Sequence, residues 1–410
     1  MYLFITYFVN LAIIGGSIYG MKRSFSESPN LRYFWSSLSF KVLCGILLGL
    51  LFHHFYQHGD TLTYYASGRA IAEQSWDGFW NTISSGTVPS QEVRAIYFTR
   101  MIAVLIKLTQ ADYWLMSIYF SLLSFLGSFF LANQLTLWKD KLQLPAVVGF
   151  LYLPSVVFWS SGLLKESLAF GCLTYLVGIY IRYRRGATFR SLSTLVGACA
   201  LVFLVVLKYY IAAPLLPLLL YLLLYRGSSL ALKLEMNMAS RSTVILILLI
   251  VPSYLFFSFI SYNLTFDRLW MIIQQSHELF IQVSGDQVIL PIRGCGLVVD
   301  LILNIPYYIF STLFRPLIGE FWKFPILLSA IENLLILACT IYMVWKTNLK
   351  KTTIAPELIA VLVYVSSLCL FLGYSSPNFG TLARYKVYFL PFFILLLEAP
   401  INSLNKYLKK

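Results

Sequence analysis

The sequence predicts an all-α fold, a polytopic transmembrane helical bundle of about eleven spans. Three observations predict it. Hydrophobic residues make up 59% of the 410-residue chain and charged residues only 12%, about half the charged fraction of a soluble domain. Apolar runs of about 20 residues recur along the chain, the length that crosses a bilayer core. Basic residues collect mainly on one side of those runs, as the positive-inside rule requires.

The first run, 2–20, has no charge before Lys22. It reads as a span and not as a signal peptide, which would open on a basic segment. A second span follows at 35–55. An outer loop at about 57–111 contains 93–108, where Arg94, Arg100 and Lys107 stand among apolar residues; that pattern predicts a helix lying in the membrane interface. Further spans are expected at 113–135, 143–160, 164–182, 191–207, 210–225 and 243–262. A second large outer loop, about 263–324, contains the apolar stretch 297–314. Asp300, Asn304 and Pro306 interrupt it, so it reads as a re-entrant or interfacial helix. Spans at 325–345, 357–373 and 387–401 complete a single transmembrane domain over 1–410, with the N-terminus outside and the C-terminus cytoplasmic.

The net charge is +14, but its distribution argues against nucleic acid. In this topology most of the Lys and Arg lie inside, with only Glu27, Asp140, Glu235 and Glu357 as acids there. That excess orients the chain and meets anionic lipid. Of the six cysteines, only Cys295 lies in a candidate loop, so neither a disulfide framework nor a thiolate metal site is expected. No internal repeat is evident, which weakens an inverted-repeat transporter reading.

The remaining ionisable residues gather on the outer face in three places. The first is His53-His54-Phe-Tyr-Gln-His58-Gly59-Asp60, followed by Tyr64 and Tyr65. Gly59 permits a tight turn, and Asp60 is then placed to act as a general base, to bind a cation, or simply to cap the helix that follows. Three histidines raise a metal site, although imidazole favours transition metals over magnesium. The second is the turn Phe158-Trp159-Ser160-Ser161-Gly162-Leu163-Leu164-Lys165-Glu166. Lys165 suits a lipid phosphate, and Glu166 is expected to pair with it or with another cation. The third is Asn378-Phe379-Gly380-Thr381-Leu382-Ala383-Arg384-Tyr385-Lys386. Arg384 is a forked, permanently charged donor suited to phosphate; the simpler expectation is that Arg384, Tyr385 and Lys386 anchor the interface. Lys208-Tyr209-Tyr210 forms a further outer turn, Arg315 with Glu320 lies in the large loop, and Glu332 beside Asn333 is a carboxylate within a span.

The Gly59-Asp60 step, the Phe-Trp-Ser-Ser-Gly-x-x-Lys-Glu turn and the Gly-x-x-x-Arg-Tyr-Lys segment resemble bacterial membrane proteins grouped with polysaccharide-building enzymes. The broader pattern resembles the GT-C superfamily of lipid-linked-sugar glycosyltransferases. In that superfamily the acid follows the first span; here Asp60 follows the second, and no second acid stands beside it. The resemblance implies transfer of a sugar from a polyprenyl-phosphate donor to a glycan acceptor at the outer face of a bacterial cytoplasmic membrane. Asp60 would be the base, with inversion. Lys165, Glu166, Lys208, Arg315, Arg384 and Tyr385 would surround the phosphate. Tyr64, Tyr65, Tyr209, Tyr210 and Trp159 would contact sugar or acceptor. No cofactor is fixed; a divalent cation (Mg or Mn) stays open. So do two alternatives, a repeat-unit polymerase of the O-antigen or exopolysaccharide type and a non-enzymatic lipid-linked glycan transporter or flippase.

Overall fold

The computed structural model describes residues 2–85, 93–187, 191–227, 255, 258–259, 265–284, 297–320, 324–346 and 355–398. They are helical, with no strand among them. Two compact units divide the chain, residues 1–209 and 210–410.

The first unit is built on α1 (Tyr2–Ser24), α2 (Phe34–Leu50), α3 (Asp60–Ala72), α4 (Trp76–Ser85), α5 (Val93–Thr109), α6 (Tyr113–Trp138), α7 (Gln143–Val147), α8 (Pro154–Trp159), α9 (Lys165–Arg184) and the start of α10 (Ser191–Gly227). Much of α1 lies open, with Phe4, Phe8 and Leu11 turned outward. Its tether is polar: Asn10 accepts from Tyr119 at 2.8 Å and donates to the Thr109 carbonyl at 2.8 Å. Such side-chain bonds are a common glue between helices in lipid.

At the centre of this unit α9 runs alongside α6. Gly127 faces Gly171, and Phe130 faces Gly178. A Cβ on Gly127 would lie 2.1 Å from the Gly171 carbonyl oxygen. Glycine is therefore required for the backbones to approach this closely.

The stretch 143–160, expected as one span, is broken into pieces. After α7 a π-helical turn covers Val148–Tyr152, and Leu153 leaves helical geometry before Pro154 opens α8. Proline fits the first helical position because its missing N–H has no partner there anyway. The turn that follows carries Gly162 at φ +70°. Ser160, Ser161, Leu163 and Leu164 are buried, so this turn lies inside the protein and not at its surface. Ser121 accepts from the Gly162 N–H at 2.9 Å, Ser117 donates to the Gly45 carbonyl at 3.1 Å, and Lys41 donates to Ser160. The hydropathy of 143–160 matched a span, but polar partners on α2 and α6 draw its end inward.

The other spans compare as follows. Among the described residues, six helices are long and apolar enough to cross a membrane: Phe4–Ser24, Leu31–Tyr56, Tyr113–Trp138, Ser191–Leu224, Leu327–Trp345 and Pro356–Ser375. A seventh is reached if the bent pair Phe379–Tyr388 and Leu390–Leu396, at 62°, counts as one. The expected spans 191–207 and 210–225 are two halves of α10, separated by the non-helical Lys208. The helix at 165–184 forms but misses this test. It carries Lys165, Glu166, Arg182 and Arg184. Most of 243–262 lies outside the described residues.

A helix forms where 93–108 was expected to be helical, α5, and it packs on α3. Lys107 closes that hairpin by donating to the Ala72 and Gln74 carbonyls at 2.9 and 2.6 Å, where a cation complements the helix end.

The second unit contains the later half of α10, α11 (Phe266–Ser284), α12 (Leu297–Phe314), α13 (Phe324–Lys346), α14 (Pro356–Ser375), α15 (Phe379–Tyr385) and α16 (Leu390–Leu396). Helices α11, α12 and α16 all pack on α14. Gly373 lets Tyr308 and Thr312 of α12 close against α14. Among the described residues, Cys44, Cys172, Cys199, Cys339 and Cys369 are free thiols; Cys295 lies outside them.

Candidate functional site

In the first unit the site begins where α2 ends. A π-helical turn, Leu51–Tyr56, widens the end of this helix; such turns recur at functional sites. Gln57 then takes φ 58° and Gly59 φ 132°. A Cβ on Gly59 would strike the Phe52 ring at 2.6 Å, so this reversal needs glycine on two counts. Asp60 is the first residue of α3 and not its N-cap. Its carboxylate favours the positive end of the helix dipole.

Tyr64 follows Asp60 by one helical turn, on the same face. Over its ring, 5.0 Å from the centroid, lies the Lys165 ammonium. The structure thus brings two of the three sequence-predicted clusters to one place. Leu62, Phe158 and Trp159 pack around the buried Leu48, Phe52 and Leu164, lining this corner with apolar and aromatic surface. Tyr65 meets Tyr113 edge to face. Partial burial pushes its phenol above the ordinary value, against the pull of Arg69. Of the two partners expected for Glu166, Lys165 or another cation, the structure shows a second cation, Lys208. The Glu166 carboxylate accepts from Lys208 at 2.7 Å, and both side chains are buried. Lys208 sits at the break in α10 with φ −145° and ψ 59°, and Tyr209 beside it is half-buried.

His53 is committed to packing. Its ring meets Tyr113 and Trp114, and its Nδ1 hydrogen-bonds the Gly49 carbonyl at 3.0 Å. Among the described residues no three His, Cys, Asp or Glu side chains group closely enough to hold a metal ion.

In the second unit Arg315 donates from Nε to Glu320 at 2.7 Å and from Nη1 to the Tyr307 hydroxyl at 3.2 Å. Its guanidinium lies over the Phe379 ring at 5.0 Å. Arg384 stands 6.0 Å from the Tyr385 ring centroid, on α15. Tyr210 is buried, stacked on Phe371 and close to Tyr385, which makes it part of the packing.

Lys386 departs from the anchoring expectation. It is 3% exposed, and its ammonium donates to the Leu313 carbonyl, the Arg315 carbonyl and Asn333 Oδ1 at 3.0, 2.9 and 3.0 Å. Sequence reasoning passed over it because a lysine after Arg-Tyr at a span end looks like an interfacial cation. The one available signal was the apolar run behind it, Val387 to Leu397, interrupted only by Pro391. Lys41 was missed in the same way: it is buried on α2 against Ser160 and Phe170.

No family model, curated protein or solved structure matches this chain.

Proposed function

We propose that this protein is a membrane glycosyltransferase of the bacterial cytoplasmic membrane that moves a sugar from a polyprenyl-phosphate donor to a glycan acceptor at the outer face. The observation that carries the reading is the Asp60–Tyr64–Lys165 corner. A half-buried carboxylate opens a helix beside the aromatic face that holds a lysine ammonium. Asp60 takes the proton from the acceptor hydroxyl as that oxygen attacks the anomeric carbon. The bond to the phosphate oxygen breaks, and Lys165 stabilises the charge that develops there. One base and one good leaving group give inversion. Tyr64 and Trp159 supply surface for a sugar ring or an isoprenoid chain.

One observation favours a second reading, a lipid-linked glycan transporter or flippase. Helices are discontinuous at Leu153, at Lys208 and between Tyr388 and Leu390, and broken helices are a mark of transport folds.

The test is Asp60→Asn, which keeps shape and removes the base. Surface glycans and lipid-linked precursors are profiled by mass spectrometry in cells matched for the protein's membrane level. Loss of the glycan with the precursor accumulating unextended in the outer leaflet supports transfer. Accumulation in the inner leaflet supports transport. Unchanged glycans overturn the assignment of Asp60.

A further inference from the structure

We infer that Lys386 is a positioning residue, whose buried ammonium latches the exit of α12 and so sets the guanidinium of Arg315 as an anion-binding group. That this anion is a lipid phosphate rests on the function proposed above.

The argument starts from the end of α12. The last carbonyls of a helix have no partner within it and carry its negative end. Here two carbonyls at that exit, those of Leu313 and Arg315, both accept from Lys386. The third Lys386 partner, Asn333 on α13, turns its amide back to the Pro316 carbonyl at 3.0 Å. One ammonium therefore ties three segments together: the exit of α12, the middle of α13 and the turn after α15. Glu332 adds a favourable charge nearby. An ammonium placed this way is satisfied by the protein and does not reach a ligand.

What the latch holds is different in kind. Arg315 keeps 21% of its side chain exposed. Its Nε and Nη1 are engaged by Glu320 and Tyr307, and Phe379 supports one face. Glu320 is in turn fixed by the Leu317 N–H at 2.8 Å. The Nη2 end of the fork makes no hydrogen bond among the described residues. A guanidinium oriented on three sides, with one edge open, is prepared for a phosphate oxygen.

The test uses the full-length protein in nanodiscs with farnesyl phosphate as probe. Arg315→Ala is expected to weaken binding about tenfold, the loss of one charge-assisted bond. Lys386→Met is expected to weaken it comparably, and to have no further effect in the Arg315→Ala background, because it acts through Arg315. Equal losses in both backgrounds would mean that Lys386 touches the ligand itself, and the inference fails. A separate arm reads hydrogen exchange of the 315–320 amides, expected to quicken about tenfold in Lys386→Met as local opening becomes easier. Unchanged exchange overturns the latch. If the wild-type protein does not bind farnesyl phosphate, the functional reading has failed, and the exchange arm still decides the latch. Should Lys386→Met not accumulate in the membrane, Asn333→Ala replaces it, removing one acceptor and the Pro316 bond while the charge stays.

Discussion

Two ion pairs, one in each unit, have the same 2.7 Å separation and opposite settings. Glu166 and Lys208 are 0% and 6% exposed; Glu320 and Arg315 are 25% and 21% exposed. Burying a charge costs several kcal/mol even after relaxation, and only a well-placed partner offsets it. The first pair is therefore architecture. It joins the opening turn of α9 to the break in α10, and removing either charge takes a buried ion-pair partner from the other. The second pair is wet enough that its contribution to stability is small. Its geometry instead orients a guanidinium whose Nη2 edge makes no hydrogen bond among the described residues. Distance alone does not separate a structural pair from a binding group; burial does.

The largest effect expected from breaking this comparison is Lys208→Met, which leaves the Glu166 carboxylate buried without its cation. A loss of about 3–5 kcal/mol follows, read as a drop in thermal midpoint of the detergent-solubilised protein. Combining it with Glu166→Leu should recover most of that loss, because an apolar replacement of both partners is often neutral; a double variant as unstable as the single would show that the pair is not the cause. Next comes Gly171→Val. A Cβ at this position would stand 2.8 Å from the Leu123 carbonyl oxygen, and overpacking costs about 1–3 kcal/mol. Because Glu166 is less than two turns away on α9, this change should, under the proposed function, also slow cell-surface glycan formation; full glycan formation at reduced stability would uncouple helix packing from the site.

Glu320→Gln sharpens the other half. Its stability cost should stay below about 1 kcal/mol, while farnesyl phosphate binding changes as Arg315 loses its orienting charge. A large midpoint drop without a binding change would reverse the roles assigned to the two pairs. The smallest effect belongs to Arg69→Ala. The Arg69–Glu73 pair is exposed on both sides, and no measurable change in stability is expected by the same thermal assay.

The sequence was most legible where a long apolar run forms one continuous helix. The expected spans 2–20, 35–55, 113–135, 325–345 and 357–373 all coincide with helices that pass on length and composition, because a long apolar run has one good solution in a bilayer. Gly59 and Asp60 were legible too: a glycine before an acid at a span end announces a turn and a helix start. The failures share a cause. Hydropathy counts apolar residues and cannot see partners. It could not show that Ser117, Ser121 and Gly45 would receive the Gly162 turn. It did not reveal that Lys208 would answer Glu166, or that three oxygens from two helices and the turn between them would surround Lys386.

The amino-acid order by itself determined an all-helical, lipid-compatible chain with acidic and basic residues at particular helix ends, because backbone hydrogen bonds in an apolar solvent must close within each segment. Tertiary structure alone decided which of those charges are buried and which remain accessible. Burial depends on what a side chain meets across the helix interface, and that partner lies tens to more than a hundred residues away along the chain.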